Sequence, residues 1–236
     1  MRISAAYYSA IGGRKQNEDA ATILESGGTV LGLVADGLGG YAGGDIASTL
    51  AINTITSDLG NQPVSSAALN QAIRHANDAI IESKRCKGMK STIAAVWFDD
   101  TCGLAASVGD TRIYQIRNQS IIFQSRDHSV AQMEVMAGEL NAEDIRGNSD
   151  RNRLIRALGA KDDVKADIKS LDIKPRDALL LCSDGFWEYI WEPEMIESLC
   201  SSVSASGWLE KMRYILNDRI KGNSDNHTAV AIIVQE

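Results

Sequence analysis

Two apolar segments of this chain end in the same way, and that repeated layout limits most strongly how the chain can fold. Residues 30–35 form an apolar run that stops at Asp36-Gly37, and residues 179–182 form another that stops at Ser183-Asp184-Gly185. Each run predicts a buried strand with a carboxylate at its end. Five glycines between positions 37 and 44 would let a ligand approach the backbone closely. The alternative is a tight strand-to-helix turn without a ligand.

The composition is that of a soluble globular protein. The chain has 236 residues, of which 44% are hydrophobic and 23% charged, and its net charge is −7. This charge argues against non-specific binding to nucleic acid or to an anionic membrane, because both require surplus lysine and arginine. No apolar run has the length of a membrane span, and no signal peptide is recognisable. The cysteines lack C-x-x-C spacing, which favours reduced thiols in a cytoplasmic protein.

The order of the predicted elements indicates the fold class. Strands are expected at 2–11, 20–24 and 30–35, followed by a helix pair at 45–59 and from Ser65 or Ser66 onwards. A strand meander is expected at 92–98, 103–108, 112–116 and 121–124, and two more strands at 166–171 and 178–182. A second helix pair at 192–200 and 205–220 and a last strand at 228–234 complete the chain. Consecutive short strands favour antiparallel hairpins, and separate helix pairs favour outer layers. The prediction is an α+β protein, a four-layer αββα sandwich of two central antiparallel β-sheets flanked by helix pairs. With no linker or repeat, residues 1–236 are expected to form a single domain.

Acidic residues gather at the predicted strand edges: Glu18, Asp19, Asp36, Asp110, Asp184 and Asp225. Buried unpaired carboxylates are costly, and carboxylates gathered at one end of a sheet repel each other, so one or two divalent cations would remove the conflict. Hard oxygen ligands and only three histidines favour Mg²⁺ or Mn²⁺ over Zn²⁺. Arg14 lies four residues before Glu18, where it could reach an anion held at the same metals. Each of these residues alone could instead be a solvated turn residue.

Eight short motifs, in order along nearly the whole chain, resemble those of the metal-dependent serine/threonine protein phosphatases of type 2C, the PPM family. They are Arg14-x-x-Asn17-Glu18-Asp19, Asp36-Gly37-Leu38-Gly39-Gly40, Gly88-Met89-x-Ser91-Thr92, Val108-Gly109-Asp110-Thr111-Arg112, Asp127-His128-Ser129, Arg156-Ala157-Leu158-Gly159, Ser183-Asp184-Gly185 and Asp225-Asn226-x-Thr228. The resemblance implies a β-sandwich flanked by helices and a binuclear Mn²⁺ or Mg²⁺ site.

The resemblance also implies a role for each acidic position. Asp36 resembles the carboxylate that bridges both metal ions, and the carbonyl of Gly37 resembles a further ligand. One ion would also be held by Asp184 and Asp225. The second ion would be held, directly or through water, by Glu18 and Asp19.

Other positions complete the resemblance. Arg14 resembles the phosphate-binding arginine, Asp110 a ligand for a third, weaker metal, and residues 130–153 the variable flap beside the site. Many eukaryotic members read Asp-Gly-His-Gly-Gly-His, whereas this chain has Leu38 and Tyr41 at the histidine positions. The first of those histidines is proposed as the general acid, so its absence moves the resemblance towards bacterial members.

The implied activity is hydrolysis of phosphoserine and phosphothreonine in proteins by direct attack of a metal-activated water, without a phosphoenzyme. A metal-bound water is then the first candidate for protonating the leaving oxygen, and His128 is expected to be structural. The expected partners are phosphorylated proteins, including a bacterial Ser/Thr kinase or its targets. No nucleic-acid or membrane partner is expected, and the chain is predicted to be a cytoplasmic monomer.

Other functions fit the sequence less well. A cysteine phosphatase needs an arginine six positions after its cysteine, and an aspartyl-phosphate hydrolase needs Asp-x-Asp; the chain has neither. The remaining alternative is a non-catalytic relative that binds phosphoproteins. Such relatives typically lose metal ligands, so the presence of Asp36, Asp184 and Asp225 argues against it.

Overall fold

A computed structural model of the chain describes residues 2–38, 43–83 and 85–235. Gly39, Gly40 and Tyr41, which belong to the predicted glycine-rich loop, lie outside the described residues. The strands are β1 (Ile3–Ala10), β2 (Ala20–Ser26), β3 (Thr29–Ala35), β4 (Gly37–Leu38), β5 (Lys90–Ser91), β6 (Ile93–Phe98), β7 (Gly103–Val108), β8 (Arg112–Arg117), β9 (Ser120–Gln124), β10 (Asp167–Leu171), β11 (Ala178–Cys182) and β12 (His227–Val234). The helices are α1 (Gly44–Leu59), α2 (Ser66–Glu82), α3 (Val130–Ala137), α4 (Asp184–Trp187), α5 (Glu192–Cys200) and α6 (Ala205–Arg219), with a 3-10 helix over Ala142–Gly147.

Ten of the described strands form two five-stranded sheets. One sheet has the order β1-β12-β11-β8-β9, and the other has the order β10-β7-β6-β3-β2. Neighbouring strands are antiparallel in both sheets. The short strands β4 and β5 form a separate pair. The prediction of two central antiparallel sheets is therefore confirmed.

Successive side chains of each strand point to opposite faces of the sheet, and this alternation produces three apolar layers. In β3, Leu31 and Leu33 pack against α1 and α2, whereas Val30 and Val34 pack against the other sheet. The innermost strands are apolar on both faces because each face is covered, one by helices and one by the second sheet. The chain thus buries one core between the sheets and another under each helix layer.

The second helix pair covers the outer face of the sheet that contains β12. Trp208, Met212 and Leu216 of α6 lie at helical spacing, are fully buried, and join the apolar layer of that sheet. Helices therefore cover both outer faces, and the predicted αββα sandwich is confirmed. Ser65, rather than Ser66, caps α2, because its hydroxyl accepts the N–H of Ala68 at 3.3 Å.

Among the helices of the described residues, none combines the length and the hydropathy that crossing a bilayer requires.

Candidate active site and metal centre

Asp36 follows directly after β3, and its backbone is held by Ser91 and Thr92, immediately before β6. Its N–H donates to the hydroxyl of Thr92 at 2.9 Å, and its carbonyl accepts the N–H of Thr92 at 2.8 Å and the hydroxyl of Ser91 at 2.9 Å. The pKa of the Asp36 carboxyl is raised well above its ordinary range by burial, and then by the neighbouring charges of Asp19 and Asp184. The raised pKa reflects several carboxylates that share one buried region.

Asp19 lies just before β2 and has an oxygen with no partner. One carboxylate oxygen, Oδ2, accepts the hydroxyl of Ser183 at 2.8 Å, whereas Oδ1 is buried and has no hydrogen bond. Burial, together with the charge of Asp225, raises the pKa of Asp19 to about 6. A buried carboxylate oxygen without a donor is costly, so this oxygen is available to a cation.

Asp184 follows β11 as the first residue of the short helix α4. Its pKa is raised well above the ordinary range, first by burial and then by the charges of Asp110 and Glu188. A Cβ atom at Gly185 would lie 2.1 Å from the carbonyl oxygen of Asn226, so only glycine permits this approach between the two acidic loops. The glycine that follows Asp184 therefore allows the segments of Asp184 and Asp225 to lie together.

The backbone of Glu18 is hydrogen-bonded to the chain that follows β3. Its carbonyl accepts the N–H of Gly37 at 3.1 Å and the hydroxyl of Ser48 at 2.5 Å. A Cβ atom at Gly37 would lie 2.0 Å from the carbonyl oxygen of Gly44, so the start of α1 can approach only because residue 37 is glycine. The pKa of Glu18 is raised, first by burial and then by Asp45.

Arg14 and Asp225 form a two-pronged ion pair. The guanidinium donates from Nε to Oδ1 at 3.0 Å and from the terminal nitrogen to Oδ2 at 2.7 Å. Half of the Arg14 side chain and 37% of the Asp225 side chain are exposed. Sequence reasoning placed Arg14 near the metals but did not foresee that its partner would be one of the predicted metal ligands, 211 residues away along the chain.

Asn226 holds the loop that carries Arg14 and Glu18. Its side-chain oxygen accepts the N–H of Glu18 at 2.8 Å, and its side-chain nitrogen donates to the carbonyls of Ile11 at 2.8 Å and Gln16 at 3.0 Å. Sequence analysis gave no role to this residue or to Ser183, whose hydroxyl contacts Asp19. The adjacency of each to a predicted metal ligand was the available signal.

Asp110 occupies the turn between β7 and β8. Its side chain is buried, and its pKa is raised to about 7 by burial, reinforced by Asp127. The carbonyl of Asp110 accepts the indole N–H of Trp187 at 2.9 Å, which attaches this turn to α4. Asp110 contributes to the raised pKa of both Asp36 and Asp184, so it belongs to the same electrostatic cluster.

The Asp127-His128 motif braces the Asp110 turn. Asp127 accepts two hydrogen bonds from the buried guanidinium of Arg112, at 2.9 and 2.7 Å. His128 accepts the N–H of Gly109 on Nδ1 at 3.0 Å, and its Nε2 lies 3.0 Å from the guanidinium of Arg156. Both ring nitrogens of His128 therefore have partners outside the acidic cluster.

The predicted flap region consists of α3, the 3-10 helix and their connections. Arg151 contacts Glu188 at 2.5 Å, and Arg146 contacts Glu192 at 2.6 Å. The side chain of Ile145 is buried in the apolar layer of α5 and α6. Since Glu188 follows α4 directly, the segment is fixed to the part of the chain that carries Asp184.

The donor set suits a hard divalent cation. Carboxylate oxygens and a backbone carbonyl are the ligands that Mn²⁺ and Mg²⁺ prefer, and the unpartnered oxygen of Asp19 lies in a region of uncompensated negative charge. Within residues 2–38, 43–83 and 85–235, no three His, Cys, Asp or Glu side chains stand as a group that could hold an ion. In this structure both carboxylate oxygens of Asp225 accept hydrogen bonds from Arg14, so Arg14 and a metal ion would share this carboxylate or compete for it.

Comparisons with known proteins agree with this geometry. Residues 8–220 match the family model described as Protein phosphatase 2C. Serine/threonine phosphatase stp of Listeria welshimeri is 30% identical over 230 residues, which cover 93% of this chain and 90% of the relative. The crystal structure of the PPM Ser-Thr phosphatase MsPP from Mycobacterium smegmatis, in complex with cacodylate, has 31% identity and a TM-score of 0.84 over 99% of this chain and 98% of that chain.

A further solved structure is the catalytic domain of the serine/threonine protein phosphatase PstP in complex with two manganese ions. It has 26% identity and a TM-score of 0.85, and the match covers 99% of both chains. Fold, acidic cluster and relatives together define a metal-dependent protein phosphatase. The chain belongs to the protein phosphatase 2C family.

Proposed function

We propose that this phosphatase hydrolyses phosphoserine and phosphothreonine in proteins at a binuclear Mn²⁺ or Mg²⁺ centre, and that it opposes a bacterial Ser/Thr kinase. The observation that carries the proposal is the buried cluster around Asp36, in which Asp19, Asp36 and Asp184 all have raised pKa values. Burial of several carboxylates without compensating cations is unfavourable and is relieved by divalent metals. Relatives named serine/threonine phosphatase support the substrate class.

Asp36 would bridge the two ions, and the remaining ligands would divide between them. The carbonyl of Gly37 would also contribute, and the other ligands would be Asp184 and Asp225 for one ion and Glu18 and Asp19 for the other. Asp110 would serve a third, weaker ion. When bound, the ions would make a water acidic enough to attack phosphorus near neutral pH and would offset the negative charge that develops on the phosphoryl oxygens.

Arg14 would bind the phosphoryl group of the substrate. Its guanidinium already forms two hydrogen bonds to one anionic group, the Asp225 carboxylate. Half of the Arg14 side chain is exposed and accessible to an incoming ligand. A planar guanidinium pairs with two oxygens of a phosphoryl group in the same way as with a carboxylate. Phosphate would therefore take the place of Asp225 on Arg14, while Asp225 turns to the metal centre.

Water, rather than a side chain, would be the nucleophile. Cys182 is the cysteine nearest in sequence to Asp184, but it is fully buried in the apolar layer under α5 and α6, and burial raises the pKa of its thiol far above the ordinary range. A thiol in that state is a poor nucleophile. Direct attack would form no phosphoenzyme, and a water at the centre would protonate the leaving oxygen, since Leu38 cannot do so.

The segment 130–153 would act as the flap beside the site. Its contact with Glu188 links it to the acidic cluster, because the charge of Glu188 contributes to the raised pKa of Asp110 and Asp184. The flap would therefore help to select protein substrates from its position next to the metal centre. A single domain over residues 1–236, a monomeric state and a cytoplasmic location complete the proposal.

The direct test is phosphate release from a phosphothreonine peptide. Activity should require added Mn²⁺ or Mg²⁺, disappear with a chelator, and be abolished in Asp36→Asn, whereas Asp218→Asn on α6 should retain it. Full turnover by metal-stripped enzyme in excess chelator would contradict the proposal. Stoichiometric capture of the peptide without phosphate release would instead indicate a phosphoprotein-binding relative.

A further inference from the structure

We propose that a cleft between the open edges of the two sheets is a second binding site, which takes a small apolar molecule carrying one anionic group. The cleft has a volume of about 620 Å³. It lies between β9, the edge strand of one sheet, and β10, the edge strand of the other. Its volume is within the range of about 300–1,000 Å³ that is typical of small-molecule sites.

The floor of the cleft is apolar because small residues line the inner face of β7. Ala105 and Ser107 are two positions apart and therefore lie on the same face of that strand. Ala105 belongs to the core between the sheets, together with Ile113 of β8 and Phe123 of β9. Ala105, Ser107 and Ile113 all line the cleft and are buried. An apolar ring system or an alkyl chain fits this floor.

The rim of the cleft carries two exposed cations. Arg126 and Lys169 both line the cleft and are exposed, and neither forms an ion pair or a side-chain hydrogen bond with the described residues. Asp167 is the acidic residue of the described lining, and it is already paired with Arg156 at 2.7 Å and His128 at 3.3 Å. The free charge at the rim is therefore positive on a chain whose net charge is −7.

The charge and shape of the cleft select the ligand class. Two cations above an apolar floor complement a molecule with an anionic head and an apolar body, and they disfavour a neutral or cationic one. The described lining includes none of the acidic residues of the proposed metal centre. The cleft shares β7 and β8 with the Asp110 turn, but its opening is formed by β9 and β10. It is thus a separate site on the same sandwich.

Fluorescence titration with a matched pair of probes tests this inference on the whole chain. 8-Anilinonaphthalene-1-sulfonate carries the anionic group, and N-phenyl-1-naphthylamine has the same ring system without it. The sulfonate should bind more tightly than the neutral amine. The double variant Arg126→Glu/Lys169→Glu should weaken the sulfonate about tenfold, as expected for loss of two exposed ion pairs, and leave the neutral probe unchanged.

Two further variants locate the binding. Ala105→Leu fills the floor and should abolish binding of both probes, with circular dichroism as the check that the variant folds. Lys211→Glu reverses one charge on α6, half of the charge change in the double variant, at a position outside the lining of the cleft, and should change neither affinity. If the sulfonate binds the double variant as tightly as the parent protein, or if Lys211→Glu weakens it equally, the proposal is wrong. The charge variants are at exposed positions, so this result does not depend on the core substitution.

Discussion

Arg14 offers the sharpest test of how the site changes when it is loaded, because the same guanidinium has two competing partners. In the structure it pairs with Asp225, and in the proposed cycle it binds the phosphoryl group. Replacing Arg14 with alanine removes both interactions. Metal affinity and phosphate transfer should therefore respond in opposite directions.

The expected magnitudes follow from exposure. The Arg14 and Asp225 side chains are 50% and 37% exposed, and exposed ion pairs contribute about 0–1 kcal/mol. Release of Asp225 should therefore raise Mn²⁺ affinity by at most about fivefold. Loss of a charged hydrogen bond to the phosphoryl group, about 1.5–3 kcal/mol, should lower kcat/KM by about ten- to a hundredfold.

Steady-state kinetics on a phosphothreonine peptide at saturating Mn²⁺, combined with titration calorimetry of Mn²⁺ binding, measures both effects. A rise in KM alone would mean that Arg14 binds ground and transition states equally, and a fall in kcat would mean that it tightens in the transition state. Arg14→Lys should rescue only partly, because an ammonium lacks the planar fork. Arg74→Ala is the control, since Arg74 is an exposed arginine on α2 that is paired with Asp163. Unchanged kcat/KM in Arg14→Ala, or weaker metal binding, would refute the reasoning.

Three other predictions concern two residues of the acidic cluster and a serine that contacts it. Asp110→Ala should keep two tight Mn²⁺ sites in calorimetry and lose much of the activity; loss of the tight sites would place Asp110 in the core centre. Ser183→Ala leaves the buried N–H of Thr228 without its acceptor and removes a donor from Asp19, so it should cost about 2–3 kcal/mol and lower the Tm by roughly 4–12 °C. An effect no larger than that of Ser201→Ala would contradict this. The pKa of Asp19 is raised from 3.8 to about 6 in the folded state, so folding binds its proton more tightly. The Tm advantage of metal-free wild type over Asp19→Asn should therefore fall as the pH rises from about 4 to about 6.5 and level off above that, and a constant or growing advantage over this range would contradict the sign.

The fold could be predicted largely from local patterns. Short apolar runs bounded by turn residues gave strands such as Gly103–Val108 and Ala178–Cys182 with the bounds that the structure has. Strand order needed more than local information. The first strand pairs with the last, β1 with β12, and no residue pattern within either strand specifies a partner more than 200 residues away.

The acidic cluster was predictable as a set, but its internal contacts were not. The strand-Asp-Gly layout indicated that Asp36 and Asp184 lie at strand ends, because glycine allows close backbone approach there. The pairing of Arg14 with Asp225 depends on the sheet order that brings the two ends of the chain together. The bonds made by Ser183 and Asn226 depend on the same long-range packing, so spacing along the chain could not reveal them.

A crystal of the protein soaked in Mn²⁺ tests the central claim most directly, through an anomalous difference map collected at the manganese edge. We predict two strong peaks on either side of Asp36, one also contacted by Asp184 and Asp225, and the other by the carbonyl of Gly37, with Arg14 released from Asp225. Peaks at positions remote from Asp36, or an intact Arg14–Asp225 pair beside two bound ions, would contradict the account.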